Sequence, residues 1–155
     1  MASVRAQIFA TVKARLDDVL AGLGWTTLAV NPREALDEAK WNALVLMHGG
    51  DRVVAGLTGM VERRQLTFSV GALVREANGR TAEDLLDDWY VAVRDGLVDP
   101  DDIQLGGLAE MIEEGDLSDP AIGRSPKGAW YIGAQLLEFT VQYLAREGDA
   151  TVVGP

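Results

Sequence analysis

The stretch from residue 60 to 75, MVERRQLTFSVGALVR, constrains this chain more than any other. In its second half Leu66, Phe68, Val70, Ala72 and Val74 fall on one side. Gln65, Thr67, Ser69 and Gly71 fall on the other, and only Leu73 breaks the pattern. Side chains of a strand alternate between faces, so this is a strand with one buried and one wetter face. Ala77-Asn78-Gly79 reads as the turn that ends it, and a capped helix follows at once.

That helix opens at Thr81, where Thr81-Ala82-Glu83-Asp84 resembles a capping box with Asp84 in place of the usual Glu or Gln. Ala82, Leu85, Leu86, Trp89, Val93 and Leu97 form its apolar stripe. Glu83, Asp84, Asp87 and Asp88 crowd its first half, where the helix dipole favours negative charge. An earlier helix spans residues 3–20, with Ser3 as N-cap and Gly22 and Gly24 as the stop. Its stripe is Val4, Ile8, Val12, Leu16, Val19, Leu20 and Leu23.

Between the first helix and the central strand, residues 25–30 read as a short strand that Asn31-Pro32 breaks. Residues 33–40 form either a short helix or an irregular arm, and residues 43–47 a second strand. His48-Gly49-Gly50-Asp51 looks like a turn. Residues 52–59 then read as an extended arm or hairpin tip, since Gly56 and Gly59 interrupt any regular element. Apolar side chains on a projecting tip expose a patch unless a partner covers it.

After the second helix, Leu105-Gly106-Gly107 is a loop, residues 108–113 a third strand and residues 115–128 a polar linker with two prolines. Residues 129–147 form a second long strand whose pattern changes midway. Trp130, Ile132, Ala134 and Leu136 share one face, and Leu137, Phe139, Val141 and Tyr143 the other. Either a bulge near Leu136 switches the face, or one half packs against something outside the subunit. Strands adjacent in sequence favour antiparallel pairing. The expected fold class is therefore α+β: a mainly antiparallel sheet with two long strands and two helices on one face. With 155 residues, one domain over residues 1–147 and a flexible tail over 148–155 are expected.

Chemistry-bearing motifs are few. Without cysteine the chain has no thiolate ligand or nucleophile, which fits a reducing compartment. The single histidine, His48, sits beside two glycines with no sequence-evident base or nucleophile partner. Asp99-Pro100-Asp101-Asp102 with Glu110 has the outline of a calcium loop, but Ile103 and Gln104 stand where a ligand oxygen and a glycine belong. Glu113, Glu114 and Asp116 read as a solvated acidic edge. No catalytic residue, cofactor or metal site is expected, and no enzymatic activity. Nothing approaches the ~20 apolar residues of a membrane span, and the start reads as an amphipathic segment rather than a signal peptide. A net charge of −10 opposes phosphate contacts, so DNA binding is not expected. Arg63-Arg64 is one compact basic spot, better suited to an intersubunit or cross-strand ion pair than to a phosphate. These features favour an interaction protein.

The layout resembles the tail terminator, or tail completion, proteins of long-tailed bacteriophages and phage-like gene transfer particles. The matching stretches are VRAQIFATVKARLDDVLAGL (4–23), WNALVLMHGGDRV (41–53), RRQLTFSVGALV (63–74), AEDLLDDWYVAV (82–93), EEGDLSDP (113–120) and GAWYIGAQLLEFTVQYLARE (128–147). The resemblance covers nearly the whole chain and rests on element order rather than on a diagnostic motif. It implies a virion protein of the head–tail junction, made in the bacterial host cytoplasm. Such a protein forms a homo-hexameric ring that caps the tail tube, ends polymerisation of the major tail protein and meets the head connector. DNA would pass an acidic lumen without specific binding. The alternatives are a head-to-tail adaptor ring, or a small carboxylate-based ligand-binding domain or enzyme. The expected subunit interface is Val53, Val54, Leu57, Met60, Arg63 and Arg64, with contact to a neighbour or the tube set against an arm folded back on its own sheet.

Overall fold

The structure is a computed structural model that describes every residue except 1, 58, 59, 127, 129, 147, 148, 154 and 155, and residues 149–153 by their backbone. The central strand is present as expected: β3, Val61–Arg75, with Leu66, Phe68, Val70, Ala72 and Val74 all buried. Asn78 (φ 54°) and Gly79 (φ 76°) make the turn after it, closed by an Ala77–Arg80 bridge. Both helices pack on the same side of the sheet, in one hydrophobic cluster with that buried set.

Helix α1 spans Val4–Leu23, and the Ser3 hydroxyl accepts from the Ala6 N–H. Gly24 stops it with φ 72°, whereas Gly22, expected as part of the stop, lies inside the helix. Helix α2 spans Ala82–Leu97. Its free N–H groups are met by Thr81 Oγ1, which accepts from Asp84, and by a Glu76 carboxylate oxygen, which accepts from Ala82. The two helices touch where α2 has no side chain. A Cβ at Gly96 would overlap Val19 Cγ2. Gly96→Ala is therefore expected to destabilise the protein by about 1–3 kcal/mol, the usual cost of overpacking a fitted contact. Urea unfolding of the variant measures this, and an unchanged midpoint would mean that α1 yields freely.

The remaining strands are β1 (Thr27–Val30), β2 (Ala43–Leu57), β4 (Met111–Leu117), β5 (Ala121–Arg124), β6 (Tyr131–Arg146) and β7 (Asp149–Val153). The sheet order is β1-β2-β3-β6-β4, and β5 and β7 also pair with β6. Only β1–β2 is parallel; the other pairs are antiparallel. The fold is thus α+β, with the helices on one face of a mostly antiparallel sheet. Residues 33–40 are an irregular arm closed by a short 3-10 turn, Glu38–Lys40.

Further expectations are corrected. His48-Gly49-Gly50-Asp51 is not a turn: β2 runs through it, with a register shift between His48 and Asp51. Gly49 is needed for close approach, since a Cβ there would lie 2.6 Å from Thr67 Oγ1. The sheet consequently has three long strands, β2, β3 and β6, rather than two. The polar linker at 115–128 holds the end of β4 and all of β5, both exposed edge segments without an alternating apolar signature. The strand expected at 108–113 starts at Met111, after a 3-10 turn at Leu105–Gly107. Of the loose tail expected over 148–155, residues 149–153 form β7, which pairs with the end of β6, and residues 148, 154 and 155 lie outside the described residues.

The apparent face switch in the last long strand is resolved without a bulge. β3 and β6 pair in one unbroken register from Val61↔Arg146 to Arg75↔Ile132. Gly133, Leu137, Phe139, Val141, Tyr143 and Ala145 are buried in that register. Ile132, Ala134 and Leu136 alternate with them and belong to the sheet face away from the helices.

Candidate interaction surfaces

The end of the β2–β3 hairpin carries the first candidate surface. Val53, Val54, Leu57 and Met60 are 50%, 47%, 39% and 66% exposed. The hairpin does not fold back, and it is not a free arm either. β3 is flanked by β2 on one side and β6 on the other as far as Val61. β1 covers β2 only from Ala43 to Leu46, and Asn31 Oδ1 then accepts the His48 N–H. Among the described residues the outer edge of β2 beyond that point has no strand partner, which leaves backbone donors and acceptors open.

The two arginines assigned to this interface are engaged within the chain. Arg63 Nε donates to Glu110 Oε1 at 2.7 Å and Nη2 to Oε2 at 3.1 Å, a forked pair that holds the Glu110 carboxyl below its ordinary pKa and raises Arg63. Arg64 Nε donates to Asp51 Oδ1 at 3.0 Å and Nη1 to Glu62 Oε1 at 2.6 Å. Asp51, with its side chain 7% exposed, also accepts from the Tyr143 hydroxyl at 2.6 Å. These links brace the hairpin against β6 and the β4 approach, directly behind its apolar end.

Burial first, and the bond to Asp51 second, push the Tyr143 pKa from 10.0 up to about 12. The neutral phenol is the form the fold favours. Its contribution is complete below pH 10 and is lost as pH climbs from 10 towards 12. The stability gap between the wild type and Tyr143→Phe is therefore expected to narrow over that window, by on the order of 2 kcal/mol. Urea titrations of both proteins at pH 9 and pH 11.5 measure it; a gap that stays constant would show that Tyr143 ionises as freely folded as unfolded.

The second surface lies on the helix-free face. A groove of about 470 Å³ runs over the near halves of β2, β3 and β6. Its floor is Gly71, where a Cβ would lie 2.9 Å from Leu136 Cδ2. Val45, Met47, Leu73, Ala134 and Leu136 line it, and Leu36 and Trp41 wall one side. The wall belongs to the 32–41 arm, held by Trp41 Nε1 donating to Leu36 O at 3.1 Å and by Ser125 donating to Glu38. Sequence reasoning did not name this groove, because its residues come from distant segments. Its traces were nevertheless visible: Leu73, the break in the alternation, lines it, and so do Ala134 and Leu136 of the Ile132-Ala134-Leu136 set.

The other candidates are structural. His48 stacks on Phe9 with ring centroids 3.5 Å apart, and burial, then Arg5, lower its pKa. Asp102 pairs with Arg15 at 2.6 Å and also accepts from Gly106 N. Glu114 accepts from Tyr90 and Arg94. Among the described residues no group of three or more His, Asp or Glu side chains is placed to hold a metal ion. No described helix is long and apolar enough to cross a membrane. The class defined by these features is an α+β domain with a covered sheet face, a grooved open face and an apolar hairpin end. Comparison with protein-family models and with curated proteins finds no match to the chain.

Proposed function

We propose that the chain is a structural virion protein of the tail-terminator kind. In this reading it is the subunit of a hexameric ring that caps the tail tube, ends tube polymerisation and joins the tail to the head connector. The observation that carries the reading is the presence of two different exposed apolar surfaces, the hairpin end and the open-face groove, at opposite ends of one sheet. Different surfaces on one subunit make head-to-tail contacts, and these close into a ring when the rotation per step allows. The element order supports it in part: helix, strand, proline-containing segment, a long central strand, helix and last long strand follow one another as the resemblance implies, although the long β2 stands where it implies a short strand and a Gly-Asp turn. A net charge of −10 suits a lumen that DNA passes without sticking. A carboxylate-based site gains little support, because Asp102, Glu110 and Glu114 are each bound to an arginine of the same chain.

Native mass spectrometry over a range of protein concentrations, with and without isolated tail tubes, tests the reading. Hexamers, free or on tube ends, are the expected result. Dodecamers would move the assignment to a head-to-tail adaptor. A monomer that ignores tubes and copurifies with a metal or small molecule would overturn it in favour of a ligand-binding domain or enzyme.

A further inference from the structure

We propose that the groove on the open face is the socket for the hairpin end of a second copy of this chain. The inference rests on the ring reading and supplies the contact that reading leaves unspecified.

Three observations carry it. First, plug and socket match in polarity. Val54, Leu57 and Met60 are exposed at the hairpin end, and the groove they would fill is lined by Val45, Met47, Leu73 and Leu136. Filling it removes two exposed apolar surfaces from water at once. Second, the charges around them are complementary. Arg52 is exposed beside the plug, and no described residue forms an ion pair with it. Glu34 and Asp119 stand at the groove rim, likewise without a cation partner among the described residues. An excess cation on one surface and excess anions on the other fix orientation and disfavour other pairings. Third, the chain cannot satisfy itself. Val61, next to the plug, and Gly71, the groove floor, both lie on the one strand β3. Ten residues of strand put them roughly 33 Å apart. Pairing with β2 and β6 along that length prevents the hairpin from bending back. Each copy must therefore offer its plug to another copy, and in a ring the copy that takes its plug differs from the one that fills its socket.

A mixing experiment tests the contact. The plug variant Leu57→Asp/Met60→Asp keeps an intact socket, and the socket variant Met47→Asp/Leu136→Asp keeps an intact plug. All four positions are at least 39% exposed, so both variants are expected to fold, as their circular dichroism and melting temperatures would show. Each alone is expected to be monomeric in native mass spectrometry, and the equimolar mixture to give a 1:1 heterodimer that grows no further.

Charge exchange gives a second reading of the same contact. Arg52→Glu and Asp119→Arg should each raise the half-assembly concentration about tenfold, and their combination should restore it. Hexamers formed unchanged by both double-aspartate variants would overturn the docking while leaving the ring reading in place. A mixture that stays monomeric, with no rescue by charge exchange, would overturn it and assign the groove to an unlike partner. A wild type that remains monomeric throughout would overturn self-docking and leave the ring reading to the tube experiment.

Discussion

The Leu57→Asp/Met60→Asp variant is expected to melt with the wild type and to be absent from every ring and tube end. Folding tolerates the change because Leu57 and Met60 are already 39% and 66% exposed. Met60 also sits at φ 62°, in the left-handed region where aspartate is several-fold enriched among non-glycine residues. Assembly does not tolerate it. Seating the hairpin end against an apolar surface would bury two carboxylates without partners, at an effective cost of several kcal/mol per ion. With every 1.4 kcal/mol worth about tenfold, association should weaken by at least three orders of magnitude. Parallel thermal melts and sedimentation velocity separate the outcomes. Normal assembly would show that this end of the hairpin is not the contact; a collapse in melting temperature would show that it belongs to the core.

Phe68→Ala is expected to cause the largest loss of stability of any change named here. Phe68 is 1% exposed at the middle of β3. It stacks on Phe139 of β6 with centroids 5.3 Å apart and meets Phe9 of α1 edge-on at 6.1 Å. Phe9 in turn stacks on His48 of β2. One ring thus joins three strands and a helix, and its removal leaves a cavity that no single element can close. The expected cost is about 3–5 kcal/mol. For a domain of this size that corresponds to roughly 10 °C or more in melting temperature. Phe68→Leu, which keeps most of the volume, should cost less than about 1.5 kcal/mol. Equal losses for alanine and leucine would mean that the aromatic contacts, not the filled volume, hold this junction together.

The helices and the central strand were legible because each carries one unambiguous period. Ser3, Thr81 and Gly24 mark ends where the local hydrogen bonds are made by the residue itself or its immediate neighbours. The misread segments are those where a residue answers to a distant partner. Gly49 and Gly50 read as a turn, but Gly49 is set by how closely Thr67 of β3 passes. β5 is exposed along its length and has no apolar face to announce it; its pairing with β6 defines it. For the surfaces, the hairpin end was visible as apolar residues stranded between glycines. The groove was visible only as anomalies, Leu73 and the Ala134-Leu136 pair, because a strand pattern shows that two faces are apolar without saying what lies above each. Arg63 and Arg64 were recognised as a unit, but Glu110 and Asp51, which hold them, are remote in sequence.

The unbroken register between β3 and β6 also sets an order of events as the chain emerges and folds. β2 and β3 are joined by a short connection, so their hairpin closes a small loop and can form early. β6 is the last long strand and reaches β3 only after α2, β4 and β5 have been made. Contacts that close large loops form late and slowly. The hairpin end is therefore complete early, while the groove lacks Ala134 and Leu136 until the final long strand docks. In the proposed docking, a nascent chain carries its insert before it has a socket of its own, so it can join a finished copy but cannot be extended further until β6 docks.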